Sequence, residues 1–205
     1  TQFVGLDMWE AYLKVIAKKL PWALHILDRY HIVANLSKAL DQVRADEARK
    51  LGQQGWDVLK RSRWLLLRRR KRLTGRQRFK LRQILQWDLR TVRAYLLSEG
   101  FQAMWEYRSA THAGRFLDSW CRQAMRRRLE PIKKVARSLR KHRELSLNGS
   151  RAKKQYNSGI VEGMNLLVKL RLRKAFGFRT FGAVETALYH QLGHLPEPEL
   201  THRFC

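Results

Sequence analysis

Two short apolar runs, Phe3-Val4-Gly5-Leu6 and Ala23 to Leu27, enclose a segment whose apolar residues recur at helical spacing. Trp9, Tyr12, Leu13, Ile16 and Leu20 give that segment one apolar stripe. Pro21, which has no N–H to donate, ends it. Asp28 then stands where an N-cap is needed, ahead of a second helical pattern carrying Ile32, Val33, Leu36, Leu40 and Val43. Strand, helix, strand and helix in this order and length imply a parallel strand pair, so residues 1 to 45 are expected to begin an α/β fold.

The rest of the chain has a different character. From about residue 46 to 148 no strand pattern occurs. Leu59, Leu65, Leu66, Leu81, Ile84, Leu85, Leu89, Val92, Leu96, Leu117, Leu129, Ile132, Val135 and Leu139 are spaced as in amphipathic helices. Thr74 is the expected cap of one of them. Residues 46–155 therefore read as an all-helical insertion, and the chain as mostly α overall. Ser146 to Ser158, with Asn148-Gly149-Ser150 and Asn157-Ser158-Gly159, has the composition of a loop. Residues 156–205 add a helix from about Ile160 to Ala175, ended by Gly177, then a helix over Phe181 to Leu192 and a tail with Pro196 and Pro198.

The 205 residues include 43 Lys and Arg against 17 Asp and Glu, a formal charge of +26. Such a balance is self-repulsive without a polyanion, and nucleic acid fits best, because its phosphates release counterions when neutralised. A hydrophobic content of 44% is too high for a disordered chain. Two distant cysteines, Cys121 and Cys205, exclude a disulfide framework and a zinc finger. No uncharged run approaches the ~20 residues that span a bilayer, and the first residues lack a signal-peptide pattern. A soluble cytoplasmic protein with no membrane partner is expected. Because Thr1 opens directly on a strand-like run, the N-terminal part of a longer protein is expected to be absent.

Three groups of residues could carry chemistry. Asp7 follows the first apolar run and so falls at the carboxyl end of a strand, where functional groups gather in parallel sheets. The alternative is a simple helix cap. Asp28 occupies the matching place after the second run. His31 lies one helical turn on, so the two can orient each other or share a ligand; otherwise they are a capping Asp and a partly buried His. Glu162 leads a helical face continued by Asn165, Lys169 and Arg173 at +3, +7 and +11. A carboxylate there can hold a metal ion while the cations hold phosphates, against the plainer reading of a solvated face. The run Arg68-Arg69-Arg70-Lys71-Arg72, beside Trp64, can track a DNA backbone or be a solvated basic face.

The order of these pieces resembles the ISL3 transposases. The resemblance rests on Val4-Gly5-Leu6-Asp7-Met8-Trp9, Leu20-Pro21 and Ile26-Leu27-Asp28-Arg29-Tyr30-His31-Ile32-Val33. After the long helical stretch it resumes with Asn157-Ser158-Gly159-Ile160-Val161-Glu162-Gly163-Met164-Asn165, Lys169, Arg173 and Phe176-Gly177-Phe178-Arg179. The resemblance implies a ribonuclease-H-like core interrupted by the helical insertion. It also implies three carboxylates of the DDE type holding Mg2+ or Mn2+, with Asp7 as the second and Glu162 as the third. The first would lie upstream of Thr1. Asp28, His31 and Asn165 become expected supports of the active site. Lys169, Arg173, Arg179 and the Arg68–Arg72 run become expected DNA contacts.

The implied function is metal-dependent cleavage and joining of double-stranded DNA at transposon ends and target. It would be carried out by a homo-oligomer on the bacterial nucleoid, and this piece would be inactive alone. Two other readings stay open: a non-catalytic helical nucleic-acid-binding protein, and a nuclease of the same core fold that cuts without joining.

Overall fold

A computed structural model describes residues 3–6, 10–152, 166–170, 172–174, 178 and 180–192. The chain divides into two compact units, Thr1–Tyr156 and Asn157–Cys205.

The first unit opens as the hydrophobic pattern requires. Strand β1 (Phe3–Leu6) and strand β2 (Leu24–Leu27) pair in parallel, Phe3 opposite Leu24 and Leu6 opposite Leu27. Helix α1 (Glu10–Lys19) joins them and stops just before Pro21. Among the described residues these two strands are the whole sheet. Helix α2 (Arg29–Gln53) starts on an Asp28 cap and buries Ile32, Leu36, Ala39, Leu40 and Val43. The boundary expected after residue 45 falls inside α2, which runs unbroken to Gln53.

The following residues are helical, as the periodicity implies. Helix α3 (Arg63–Leu67), a 3-10 turn (Arg70–Arg72) and helix α4 (Gly75–Leu85) lead into helix α5 (Arg90–Phe101). A second 3-10 turn (Gln102–Trp105) precedes helices α6 (Ala110–Arg126), α7 (Glu130–Lys141) and α8 (Arg143–Arg151). Helix α2 packs against α5 and α7, and α8 packs against β2. The shared core includes Leu6, Ile32, Leu40, Leu81, Leu117, Ile132 and Leu139, all at most 2% exposed. Leu96 departs from the expected pattern, since it faces out at 57% exposure.

Polar side chains lock the helices to one another. The Glu47 carboxylate, on α2, accepts the backbone N–H groups of Arg90 and Thr91 at 2.9 and 2.7 Å. It thereby caps α5, whose own N-cap residue, Leu89, has no acceptor to offer. Arg143 donates to both carboxylate oxygens of Asp118 at 3.0 Å, tying α8 to α6. The Trp120 indole donates to the Leu97 carbonyl at 2.9 Å, and Lys141 reaches Glu10 on α1 at 2.8 Å.

One loop expectation is corrected. Residues 146 to 151 are helical, the end of α8, although their composition suggests a turn. Their polar groups find partners in the helical state. Ser146 Oγ donates to the His142 carbonyl at 3.0 Å, and Asn148 Nδ2 donates to the His25 carbonyl of β2 at 2.7 Å. At Gly149 α8 lies against the strand, where a Cβ would make ordinary van der Waals contact with Ile26 Cγ2 at 3.7 Å. Tertiary contact overrides local propensity here. The remainder of that expected loop, residues 153–158, lies outside the described residues.

In the second unit, residues 166–170 and 172–174 are helical, and a further helix covers Phe181–Leu192, the span expected from sequence.

Candidate nucleic-acid interface

The basic run at Arg68–Arg72 is positioned by the residues that flank it. Leu66 and Leu73 are buried on either side. Between them the chain makes a tight 3-10 turn, with Arg72 N–H donating to the Arg69 carbonyl at 2.8 Å. Thr74 then opens α4 with a reciprocal capping box: its hydroxyl takes the Gln77 N–H, and the Gln77 side chain takes the Thr74 N–H. Leu81 and Ile84 turn one side of α4 into the core, which leaves Arg78, Phe79 and Arg82 exposed.

These elements enclose a cavity of about 960 Å3 together with the first residue of α2 and the end of α5. Arg29, Arg69, Arg70, Lys71, Arg78 and Arg82 supply six cations to its lining, against the two carboxylates of Glu99 and Glu106. The Arg29 guanidinium lies over the Trp105 ring, 5.0 Å from its centroid, a cation–π contact that fixes both groups. Burial lowers the Arg29 pKa and the Arg69 charge lowers it further, yet a guanidinium stays protonated. Burial pushes the Glu99 carboxyl above the usual carboxylate range, while Arg70 and Arg69 pull it back. Burial, with the Glu99 charge beside it, pushes Tyr95 up to about 12.

The cavity adjoins the end of β2. Asp28, next to Arg29 in the chain, is 9% exposed, and its backbone N–H donates to the Leu6 carbonyl at 2.7 Å. That bond closes the register where both strands terminate. One Asp28 carboxylate oxygen accepts the Tyr30 N–H at 2.8 Å as the α2 cap. The other lies 3.9 Å from His31 Nε2. The His31 side chain is 48% exposed, more open than a partly buried His.

The other expected site residues are distributed as follows. Arg69, Arg70 and Lys71 line the cavity; Arg68 and Arg72 are exposed but not part of the lining. Trp64 is exposed and lies under the Arg63 guanidinium, 5.0 Å away, rather than in the cavity. Lys169 and Arg173 are exposed on the helical residues of the second unit. Asp7, Glu162, Asn165 and Arg179 lie outside the described residues. Among the described residues no group of three or more His, Cys, Asp or Glu side chains is placed to hold a metal ion.

Sequence reasoning missed Arg29, Arg78, Phe79, Arg82, Glu99 and Trp105. A signal existed for three of them: Arg78 and Arg82 are four apart and so share a face of α4, with Phe79 between them in the chain and the buried positions left to Leu81 and Ile84. Nothing in the sequence links Arg29 to Trp105, because only folding brings the start of α2 to the end of α5.

Comparison with known proteins agrees with the order of motifs. The family model for ISL3 transposases of the DDE type matches residues 1–188. The transposase of insertion sequence element IS1001 from Bordetella parapertussis is 32% identical over 181 residues, covering 86% of this chain and 44% of that protein. The transposase of IS1557 from Mycobacterium tuberculosis is 28% identical over 220 aligned residues, covering 94% of this chain and 48% of that protein. The chain thus spans about half the length of these curated relatives. No solved structure matches. With the family model running through nearly all of it, the chain belongs to the ISL3 family of transposases.

Proposed function

We propose that this chain is the catalytic region of a DDE transposase and that its basic cavity holds DNA beside the active site. The observation that carries the reading is the cavity itself. The fold draws cations from α2, the 3-10 turn and α4 onto one surface next to the carboxyl ends of the parallel strands. Ligands of parallel sheets bind at such ends. Exposed guanidinium groups there can each neutralise a phosphate and fix the register of a duplex.

In this reading residues 1–45 and 156–205 form a ribonuclease-H-like core, and residues 46–155 are a basic insertion that grips DNA. Asp7, directly after β1, and Glu162 supply catalytic carboxylates, and a further acid comes from an upstream segment. Their oxygens are the hard donors that Mg2+ or Mn2+ takes. A divalent metal bound there would stabilise charge on the attacking and leaving oxygens at phosphorus. Asp28 caps the start of α2 next to Arg29 of the cavity, and Asp28, His31 and Asn165 support the active site. Lys169, Arg173 and Arg179 contact phosphates of the same double-stranded DNA, whether transposon end or target. The protein works beside the chromosome as a homo-oligomer. No helix among the described residues is long and apolar enough to cross a membrane.

Two measurements test this. Duplex binding by the chain should weaken steeply with salt, and replacing Arg69 and Arg70 by Ala should flatten the log–log slope by about 2, close to one unit per lost phosphate contact. In a protein that also carries the upstream segment, Asp7→Ala or Glu162→Ala should abolish metal-dependent cleavage with DNA affinity nearly unchanged. Normal cutting by both variants would remove these acids from catalysis and leave a DNA-binding protein.

A further inference from the structure

The lining of the basic cavity is not uniform. Its six cations belong to exposed residues, whereas Glu99, Gln102 and Trp105 are half-buried. A site built for phosphates alone has no use for a half-buried carboxylate in its lining, since like charges repel. A carboxylate and an amide beside aromatic surface suit a nucleobase edge, where carboxylates and amides accept from and donate to exocyclic groups. Phe79 supplies a further feature. It is 61% exposed, stands on α4 next to Arg78 and one turn before Arg82, and lines the same cavity. Trp105 cannot offer both faces of its ring, because Arg29 covers one. Phe79 is the more exposed ring of the two, and an exposed ring flanked by guanidinium groups is a stacking platform that tracks a strand. The volume, about 960 Å3, lies within the ~300–1,000 Å3 range of small-ligand sites.

We infer that this cavity receives one unpaired nucleotide of a DNA strand, its base stacked on Phe79 with its edge toward Glu99 and Gln102, and its flanking phosphates on Arg69, Arg70, Arg78 and Arg82. The inference rests on the proposal that the cavity holds DNA, and adds that the strand it holds is locally unpaired. Extruding a base costs least where it has no partner. The substrate favoured is therefore a duplex carrying a bulged or displaced nucleotide rather than a perfect duplex.

The test compares two fluorescent duplexes of equal length, one fully paired and one with a single extra adenine at its centre, by anisotropy titration of the chain at fixed salt. The bulged duplex should bind about tenfold tighter, within the range of one base–aromatic stack. Phe79→Ala, a change at an exposed position, should bring the bulged duplex down to the affinity of the paired one and shift the paired one by less than about twofold, as expected when one stack is lost. Equal affinity for both duplexes in the unaltered chain would overturn the inference. So would a Phe79→Ala loss shared equally by the two. Arg69→Ala with Arg70→Ala separates the two proposals: weakening of both duplexes upholds the DNA-binding cavity whatever Phe79 does. If both duplexes bind undiminished, the cavity is not the DNA site and both proposals fall.

Discussion

Removing the Glu47 carboxylate should loosen the helical body at one defined joint. Glu47 accepts two backbone N–H groups at the start of α5, those of Arg90 and Thr91. Thr91 is fully buried at 0% exposure, so its N–H has no route to water once the acceptor is gone. An orphaned buried donor costs about 1–3 kcal/mol, and loss of a helix cap about 0.5–2 kcal/mol. These descriptions overlap, so Glu47→Ala should cost about 2 kcal/mol. With a urea dependence of about 2 kcal/mol per molar, the unfolding midpoint should fall by ~1 M. Glu47→Gln keeps an acceptor without the charge and should lose about half as much. The assay is tryptophan fluorescence in urea. All seven tryptophans precede residue 157, so the signal reports the first unit alone. If both variants unfold at the midpoint of the unaltered chain, the carboxylate is not what holds α5 to α2.

Gly114→Ala should destabilise the same unit by ~1 kcal/mol in the same urea assay, overpacking outweighing the helix propensity gained. A Cβ there would stand 2.7 Å from Arg143 Nη2 and displace it from Asp118; greater stability in the variant would refute the close packing. Hydrogen bonding from Arg143 holds the Asp118 carboxyl below its ordinary value, so the pair's contribution is present above the usual carboxylate pKa. It is lost as pH falls through the lowered folded value, and Asp118→Asn should flatten acid unfolding in that window. Tyr95 should ionise near about 12 because it is buried, so its contribution is intact below its unfolded pKa, about 10, and lost as pH rises above it. Ultraviolet titration of Tyr95→Phe should lack that late phenolate; loss of an ordinary one instead would contradict the burial.

Much of the fold was legible because apolar spacing and chain-stopping residues act locally. Leu13 and Ile16 inside α1, Pro21 after it, Asp28 before α2 and the Thr74 box before α4 each declare themselves within a turn or two. The α8 helix did not, since Asn148, Gly149 and Ser150 read as loop residues until the His25 carbonyl and Ile26 are known to lie beside them. The candidate site divided in the same manner. Arg69–Lys71 stand out as a charge run, but Arg29, Glu99 and Trp105 come from separate helices and acquire meaning only through packing. The family resemblance reached further than periodicity could, because motif order carries information that local pattern lacks.

The bond from Asn148 to the His25 carbonyl has a topological consequence. A backbone acceptor on β2 is consumed by a side chain, and α8 lies along that strand. An incoming strand would have to displace Asn148 and prise α8 away before it could hydrogen-bond there. Sheet growth is thereby steered toward β1, and the helical body doubles as a guard over the flank it covers.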